Sequence, residues 1–316
     1  MQTSVVLGAA GFIGSHLCDA LLASNYSVIA VDDFSSGRKN NIEHLVSRDD
    51  FRFMEQDICK PISVNSEVDL VFNFASLASP PRYLKQPIHT LRTGSVGVEN
   101  AIKLALDKNA RLVHASTSEV YGDPLQHPQS ETYWGNVNPI GERSCYDEAK
   151  RFAESLCMAY SKTESLNVGI VRIFNTYGPR LDPYDGRVVS NFVNQALLGV
   201  DVSIYGDGTQ TRSFCYISDL IAGIMAMADS NLIGPINLGN PKEFSMLELA
   251  EIVIEKTKST SAIVFQKLPS DDPKMRCPDI SLAEKELCWM PFIDLEQGLD
   301  SLITWFKDQG DKNRQF

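Results

Sequence analysis

The sequence predicts an α/β protein with a doubly wound, mostly parallel sheet and a smaller C-terminal substrate-binding domain. Three observations predict it. A short apolar strand runs through a glycine-spaced turn into a helical pattern within the first 24 residues, strands and helices then alternate to residue 173, and beyond Gly178-Pro179 the rhythm breaks into shorter pieces.

Residues 3–7 (TSVVL) form the first strand, and the turn from Gly8 through Gly11 leads into a helix that runs to about Ser24. Glycines at 8, 11 and 14 permit a tight turn, close backbone approach to a pyrophosphate and close helix–strand contact, while the helix N-terminus favours an anion. Gly8, Gly11, Phe12, Ile13 and Gly14 are therefore candidate contacts for a dinucleotide in a Rossmann-type unit. The spacing is G-x-x-G-x-x-G rather than G-x-G-x-x-G, but strand, turn and helix follow in the required order.

A second strand, 27–31, ends at Asp32, 18 residues beyond Gly14. A carboxylate there accepts hydrogen bonds from an adenosine ribose and repels a 2′-phosphate, which favours NAD over NADP; Arg38 and Lys39 argue the other way. Asp33, Ser36 and Gly37 in the following turn join the candidate cofactor contacts, as do Asp57 and Ile58 after a strand at 51–54. Residues 68–74 (VDLVFNF) form the next strand, with Ala75-Ser76 at the carboxyl end, where ligands of open α/β sheets collect. A helix is expected over 86–107, carrying Arg92 and Thr93, and strand 111–115 then delivers Ser116.

The stretch from Ser116 to Lys150 carries the chemistry. Thr117, Ser118 and Glu119 place two hydroxyls beside a carboxylate, and Tyr146 and Lys150 lie four residues apart, hence on one face of a helix. An ammonium close to a phenol favours the phenolate, which lowers a tyrosine pKa from about 10 and makes Tyr146 a proton acceptor near neutral pH.

The helix from Tyr146 to about 162 leads to strand 167–173 and Asn175. Later come helices at 188–199, from about 218, from 246 to 258, at 281–289 and at 294–307, with short strands near 202–205, 211–217 and 235–238 and a loop at 270–279. Ser245 reads as an N-cap with Glu248 completing a capping box. The expected division is a nucleotide-binding domain over 1–178 and a partly interleaved substrate domain over 179–316.

A net charge of −11, with 43% apolar and 22% charged residues, fits a soluble globular protein and argues against a nucleic-acid or anionic-membrane partner. Seven cysteines without a C-x-x-C pair and five scattered histidines give no disulfide framework and no metal-ligand spacing. Without a leader pattern or an apolar run of roughly 18 residues, a cytoplasmic location is expected.

With the glycine turn, Asp32, Thr117 and the Tyr146/Lys150 pair in place, the chain resembles the extended short-chain dehydrogenase/reductase family of nucleotide-sugar enzymes, and within it the branch that decarboxylates UDP-glucuronate. The likeness runs from about residue 3 to 306 and is most specific at STSEVYGDP (116–124), YWGNVNPIGERSCYDEAKR (133–151), FNTYGPR (174–180), DGRVVSNF (185–192), YGDGTQTRSF (205–214) and DDPKMRCPDI (271–280). Ser118-Glu119 is the discriminating feature, because related 4,6-dehydratases resemble one another in having an aspartate at the middle position, where it helps to expel water.

The resemblance implies NAD-dependent oxidation at carbon 4, loss of CO₂ from the resulting β-keto acid and re-reduction to UDP-xylose. It gives Tyr146 the proton-acceptor role beside Lys150, Thr117 and Ser118 hydrogen bonds to the sugar oxygen, and Glu119 and Arg276 places near the ring. It assigns Arg92, Asn175, Arg187, Val188, Val189, Tyr205, Arg212 and Arg276 to the UDP-sugar, with Arg180 a weaker candidate. It also implies a homodimer built on the helices at 86–107 and 146–162. Alternatives that stay open are an oxidative decarboxylase releasing a UDP-4-keto-pentose and NADH, a dehydratase or epimerase of the same family, and a non-catalytic NAD or nucleotide-sugar binding regulator.

Overall fold

The computed structural model describes residues 1–267 and 275–313. The chain runs through β1 (Thr3–Leu7), α1 (Phe12–Ala23), β2 (Ser27–Asp32), β3 (Phe51–Glu55), β4 (Leu70–Asn73), α2 (Pro80–Lys85), α3 (Pro87–Arg92), α4 (Val98–Lys108), β5 (Arg111–Thr117), α5 (Ser144–Thr163) and β6 (Val168–Ile173). It continues as β7 (Thr176–Tyr177), α6 (Val188–Leu198), β8 (Val202–Tyr205), β9 (Thr211–Ser213), β10 (Cys215–Tyr216), α7 (Ile217–Asp229) and β11 (Ile236–Leu238). The last elements are β12 (Glu243–Ser245), α8 (Met246–Thr257), β13 (Ile263–Gln266), β14 (Met275–Arg276), α9 (Ser281–Leu287) and α10 (Leu295–Asn313).

Seven strands form one parallel sheet in the order β3-β2-β1-β4-β5-β6-β11. Helices cover both faces, so the strands are apolar on both sides: Val6 points into the cluster containing Leu17 of α1 and Ile224 of α7, while Val5 and Leu7 point into the one containing Ile102 of α4 and Ala153 of α5. A third apolar cluster joins Phe192 of α6, Ile204 of β8, Leu249 of α8 and Leu299 of α10.

Strand order reverses between β1 and β4, and a crevice opens beyond their carboxyl ends. Gly8 sits there with φ +82°, and a Cβ on it would lie 2.7 Å from the Ala75 nitrogen. Only glycine allows these two strand ends to approach so closely.

The helix expected over 86–107 is instead three pieces. Pro87 opens α3, because it has no N–H to continue the preceding turn, and a wide π turn over Thr93–Gly97 separates α3 from α4. Gly94 in that turn packs on α5, where a Cβ would meet the Ala149 Cβ at 2.6 Å, so the turn lets the helix carrying Lys150 settle against the sheet. Strand β5 extends past residue 115 to Thr117, because Ser116 and Thr117 still pair with Arg172 and Ile173. The Ser245/Glu248 capping box forms, with the Glu248 N–H donating to Ser245 Oγ at 3.1 Å. Strand β13, unmarked in the sequence, pairs with β8. Residues 270–274 of the expected 270–279 loop, with the DDPK of the 271–280 motif, lie outside the described residues.

Candidate active site

A cavity of about 560 Å³ opens above the carboxyl ends of β1, β4, β5 and β6. The β5 strand sets its floor. Ser116 Oγ donates to Glu154 Oε1 at 2.5 Å, and Arg172 holds the same carboxylate in a bidentate pair at 2.9 and 2.7 Å. With the strand end anchored, the next four residues, Ser118–Tyr121, turn into a 3₁₀ segment capped by Thr117: the Glu119 N–H donates to Thr117 Oγ1 at 3.3 Å. The Thr117 hydroxyl and the Tyr146 phenol share the cavity wall, and the hydroxyl favours the ionised phenol. Thr117, Ser118 and Glu119 all line the cavity.

On α5, Tyr146 and Lys150 are both buried and face the cavity. Lys150 Nζ lies 5.8 Å from the Tyr146 ring centroid and donates to the Ala115 carbonyl at 2.7 Å, which uses one of its three N–H donors. The expectation that this cation lowers the phenol needs correcting. Burial pushes Tyr146 above its ordinary value; the Thr117 hydroxyl and Arg187 oppose that, and Glu119 adds to it. The same burial brings Lys150 down to about 8.

Glu119 is the electrostatic centre. Burial alone would raise it, but the Arg276 and Arg143 guanidiniums hold it at about 2. Arg276 Nη1 donates to one carboxylate oxygen and Arg143 Nη2 to the other, the latter at 2.6 Å. Arg276 also donates to the Gly122 carbonyl at 3.0 Å. The resemblance brought Arg276 near the ring; the structure shows its side chain 3% exposed and locked to the carboxylate.

Of the residues expected to hold UDP-sugar, Asn175, Arg187, Val188, Val189, Tyr205, Arg212 and Arg276 all line this cavity. Arg187 pairs with Asp185, and Val188 and Val189 begin α6, whose N-terminus opens into the cavity beside that arginine. Tyr205 stands at the rim, 43% exposed. Arg92 is not brought in: it is exposed at the end of α3, away from the cavity wall. Arg180 reaches the wall but is bound to Asp19 of α1 at 2.6 Å.

The cofactor residues divide between two connected hollows. Gly8, Gly11, Phe12, Ile13, Gly14, Ser36 and Ser76 border the large cavity, and Asp32, Asp33, Asp57, Ile58, Ala75 and Thr93 line a smaller one that shares Gly8, Gly11, Ser36 and Ser76. Gly37 borders neither, yet it supports the wall, since a Cβ there would lie 2.7 Å from Asp32 Oδ1. Asp32 accepts from the Ala10 N–H at 2.9 Å and the Phe34 N–H at 2.8 Å. Burial raises its pKa against those two bonds.

Four contributors were not marked in advance. Arg143 was within a quoted motif, three residues before Tyr146, but its aim at Glu119 depends on the turn entering α5. Tyr83 of α2 stacks on Tyr146, and buried Asp147 stands next to it on α5. Asp182 bridges Arg38 and Arg82, each at 2.5 Å, while Arg82 donates to the Ser36 carbonyl at 3.1 Å.

A family model described as NAD dependent epimerase/dehydratase family matches residues 4–239. UDP-glucuronic acid decarboxylase 1 of Xenopus tropicalis is 48% identical over 305 residues, 96% of this chain and 72% of the relative. UDP-glucuronic acid decarboxylase 2 of Arabidopsis thaliana is 51% identical over 305 residues, covering 96% and 68%. Among solved structures, UDP-glucuronic acid 4-epimerase from Bacillus cereus in complex with UDP-glucuronic acid and NAD superposes with a TM-score of 0.86 at 30% identity, covering 98% of this chain and 100% of that one. UDP-glucose 4-epimerase from Thermotoga maritima, with UDP-glucose, gives 0.90 at 27% identity, covering 98% and 99%. With its glycine turn at a strand-order reversal and its Thr/Tyr/Lys group on β5 and α5, the chain belongs to the NAD dependent epimerase/dehydratase family and, within it, groups with the UDP-glucuronic acid decarboxylases.

Proposed function

We propose that this chain decarboxylates UDP-glucuronate to UDP-xylose, with NAD retained through the cycle. The observation that carries the reading is the end of β5, where Thr117 stands with Tyr146 on the cavity wall, Ser118 offers a hydroxyl rather than an acid, and Glu119 is pinned by two arginines.

The crevice fits a dinucleotide: Gly8 lets the β1 and β4 ends close together, Gly11 leaves backbone open toward the cavity, and Asp32 ends β2 with a buried carboxylate for a ribose. NAD held there would supply the acceptor for the hydride of sugar carbon 4 and, once reduced, the donor for its return. NAD rather than NADP is favoured by Asp32 and by Arg38, whose guanidinium is tied to Asp182.

Tyr146 accepts the proton of the 4-hydroxyl, and Thr117 holds the same oxygen. Once carbon 4 is a ketone, the carboxylate on carbon 5 is β to it, so CO₂ leaves and the electron pair passes to the oxygen held by Tyr146 and Thr117. Glu119 orders a water for protonation at carbon 5, and Arg276 orients the departing carboxylate. Arg187, Arg212 and the start of α6 supply donors to the diphosphate, with Tyr205 against the uracil.

The UDP-sugar is held between an NAD-binding unit, residues 1–178, and a substrate unit, residues 179–316. Leu84, Ile88, Leu91 and Phe152 lie exposed on α2, α3 and α5, an apolar face that supports a homodimer. No described helix is long and apolar enough to cross a membrane.

The test is incubation of the purified protein with UDP-glucuronate and trace NAD⁺, with products identified by mass and NMR. UDP-xylose and CO₂ without accumulating NADH support the proposal. A UDP-4-keto-pentose with stoichiometric NADH, the 4-epimer, or no reaction from folded protein each overturns it.

A further inference from the structure

Among the described residues, one cluster brings together donor atoms that could hold a metal ion: His127, Glu243 and Cys277. Their ligand atoms all lie within 4.8 Å of one another, with His127 Nε2 at 2.9 Å from Glu243 Oε2. A tetrahedral zinc with bonds of about 2.0–2.3 Å holds its donors roughly 3.3–3.6 Å apart, so adjustments within side-chain reach enclose an ion. The three residues are far apart in sequence, in a loop beyond Glu119, in β12 and just after β14, so no local spacing reveals the cluster.

Two further features support the cluster. Thr211 Oγ1 donates to Glu243 Oε1 at 2.6 Å, which orients the carboxylate and leaves Oε2 toward the histidine, the arrangement of an outer ligand that aims a metal-binding one. Fully buried Gln129 ties the segments together, accepting from the Cys277 N–H at 2.9 Å and donating its own N–H to the Cys277 carbonyl at 2.9 Å. Cys277 is buried while His127 is exposed, so an ion can enter from solvent on the histidine side.

We propose that His127, Glu243 and Cys277 bind a single divalent cation of the borderline-soft class, Zn²⁺ being the type. Binding releases the Cys277 proton to solvent, replaces the His127–Glu243 hydrogen bond with two bonds to the ion and leaves the fourth position to water. Cys277 directly follows Arg276, and the His127 loop follows Glu119, so the ion clamps together the two segments that hold the Glu119–Arg276 pair.

The experiment uses the full chain carrying Cys288→Ser, which removes an exposed thiol, stripped with chelator and titrated with Co²⁺ alone. One equivalent should produce a thiolate-to-cobalt charge-transfer band with four-coordinate d–d absorption, and Zn²⁺ should displace it. Adding Cys277→Ser should remove the charge-transfer band, and His127→Gln, at the exposed edge, should weaken binding at least about tenfold. No band in the parent, a band that survives Cys277→Ser, or binding unmoved by His127→Gln overturns the proposal.

Discussion

The ring of Tyr83 lies flat on that of Tyr146, their centroids 5.1 Å apart and their planes 6° from parallel. Tyr83 is 1% exposed, and its hydroxyl has no hydrogen-bond partner among the described residues. The ring therefore positions the phenol of Tyr146, while the buried hydroxyl opposes folding. Tyr83→Phe should keep kcat within about threefold and raise stability by up to about 1 kcal/mol. Tyr83→Ala should lose about 3–5 kcal/mol and most turnover, because it leaves a cavity beside Tyr146. Urea unfolding and steady-state kinetics on both variants measure this; a Phe variant as inactive as the Ala variant would move the role from ring to hydroxyl.

Glu119 separates hydride transfer from the steps that follow it. Its carboxylate, held at about 2 against the pull of burial, contributes stability that is present above the unfolded value of 4.5 and lost as pH falls through about 2. Glu119→Gln leaves Arg276 facing a neutral amide and should cost about 3 kcal/mol in urea unfolding near neutral pH. In a single turnover with UDP-glucuronate it should still reduce NAD, because Tyr146, Thr117 and Lys150 are intact, while UDP-xylose formation falls about 100-fold. Loss of the NADH signal as well would show that Glu119 acts before decarboxylation.

The fold was legible because its signals are local. A glycine turn after an apolar strand, and strands buried on both faces, are written in consecutive residues, and Thr117, Tyr146 and Lys150 needed only a strand end and a helix spacing. What stayed hidden depends on contacts between distant segments. Arg143 aims at Glu119 only after the 122–143 loop has folded back, and Asp182 meets Arg82 across 100 residues of sequence. The depressed phenol expected from the Tyr146/Lys150 spacing failed for a related reason: spacing reports proximity, whereas burial, which outweighs it here, is set by the whole fold.

Asp182 clasps the mouth of the crevice. Its two carboxylate oxygens take Arg38 from the loop after β2 and Arg82 from α2, and Arg82 also holds the Ser36 carbonyl. The segment 180–187 is thereby tied to the loop after β2 and to α2, whose Ser36, Arg38 and Arg82 line the cavity. Asp182→Asn should weaken both ion pairs and speed NAD release about tenfold, while leaving kcat at saturating NAD within about twofold. Cofactor retention after gel filtration and the decay of bound-NADH fluorescence test it; unchanged retention would mean that the clasp is a surface contact only.

Asp147 links stability and catalysis through one titration. Burial first, and then the Glu119 charge, raise its pKa from 3.8 to about 7 against the opposing pull of Arg143 and Arg276. A carboxyl whose folded value is raised contributes stability that is complete below 3.8 and is lost as pH climbs through about 7. Asp147→Asn cannot ionise, so it should match the parent near pH 4 and exceed it by on the order of 2 kcal/mol near pH 8. The Asp147 charge is also one of those that push the Tyr146 phenol upward. Its removal should therefore shift the acid limb of kcat/KM to lower pH, since the ionised form of Tyr146 then persists further down. Urea melts at the two pH values and a pH–rate profile measure both effects. A stability difference that is the same at both pH values, with an unmoved acid limb, would mean that Asp147 stays charged in the folded protein and that its effect on Tyr146 is screened.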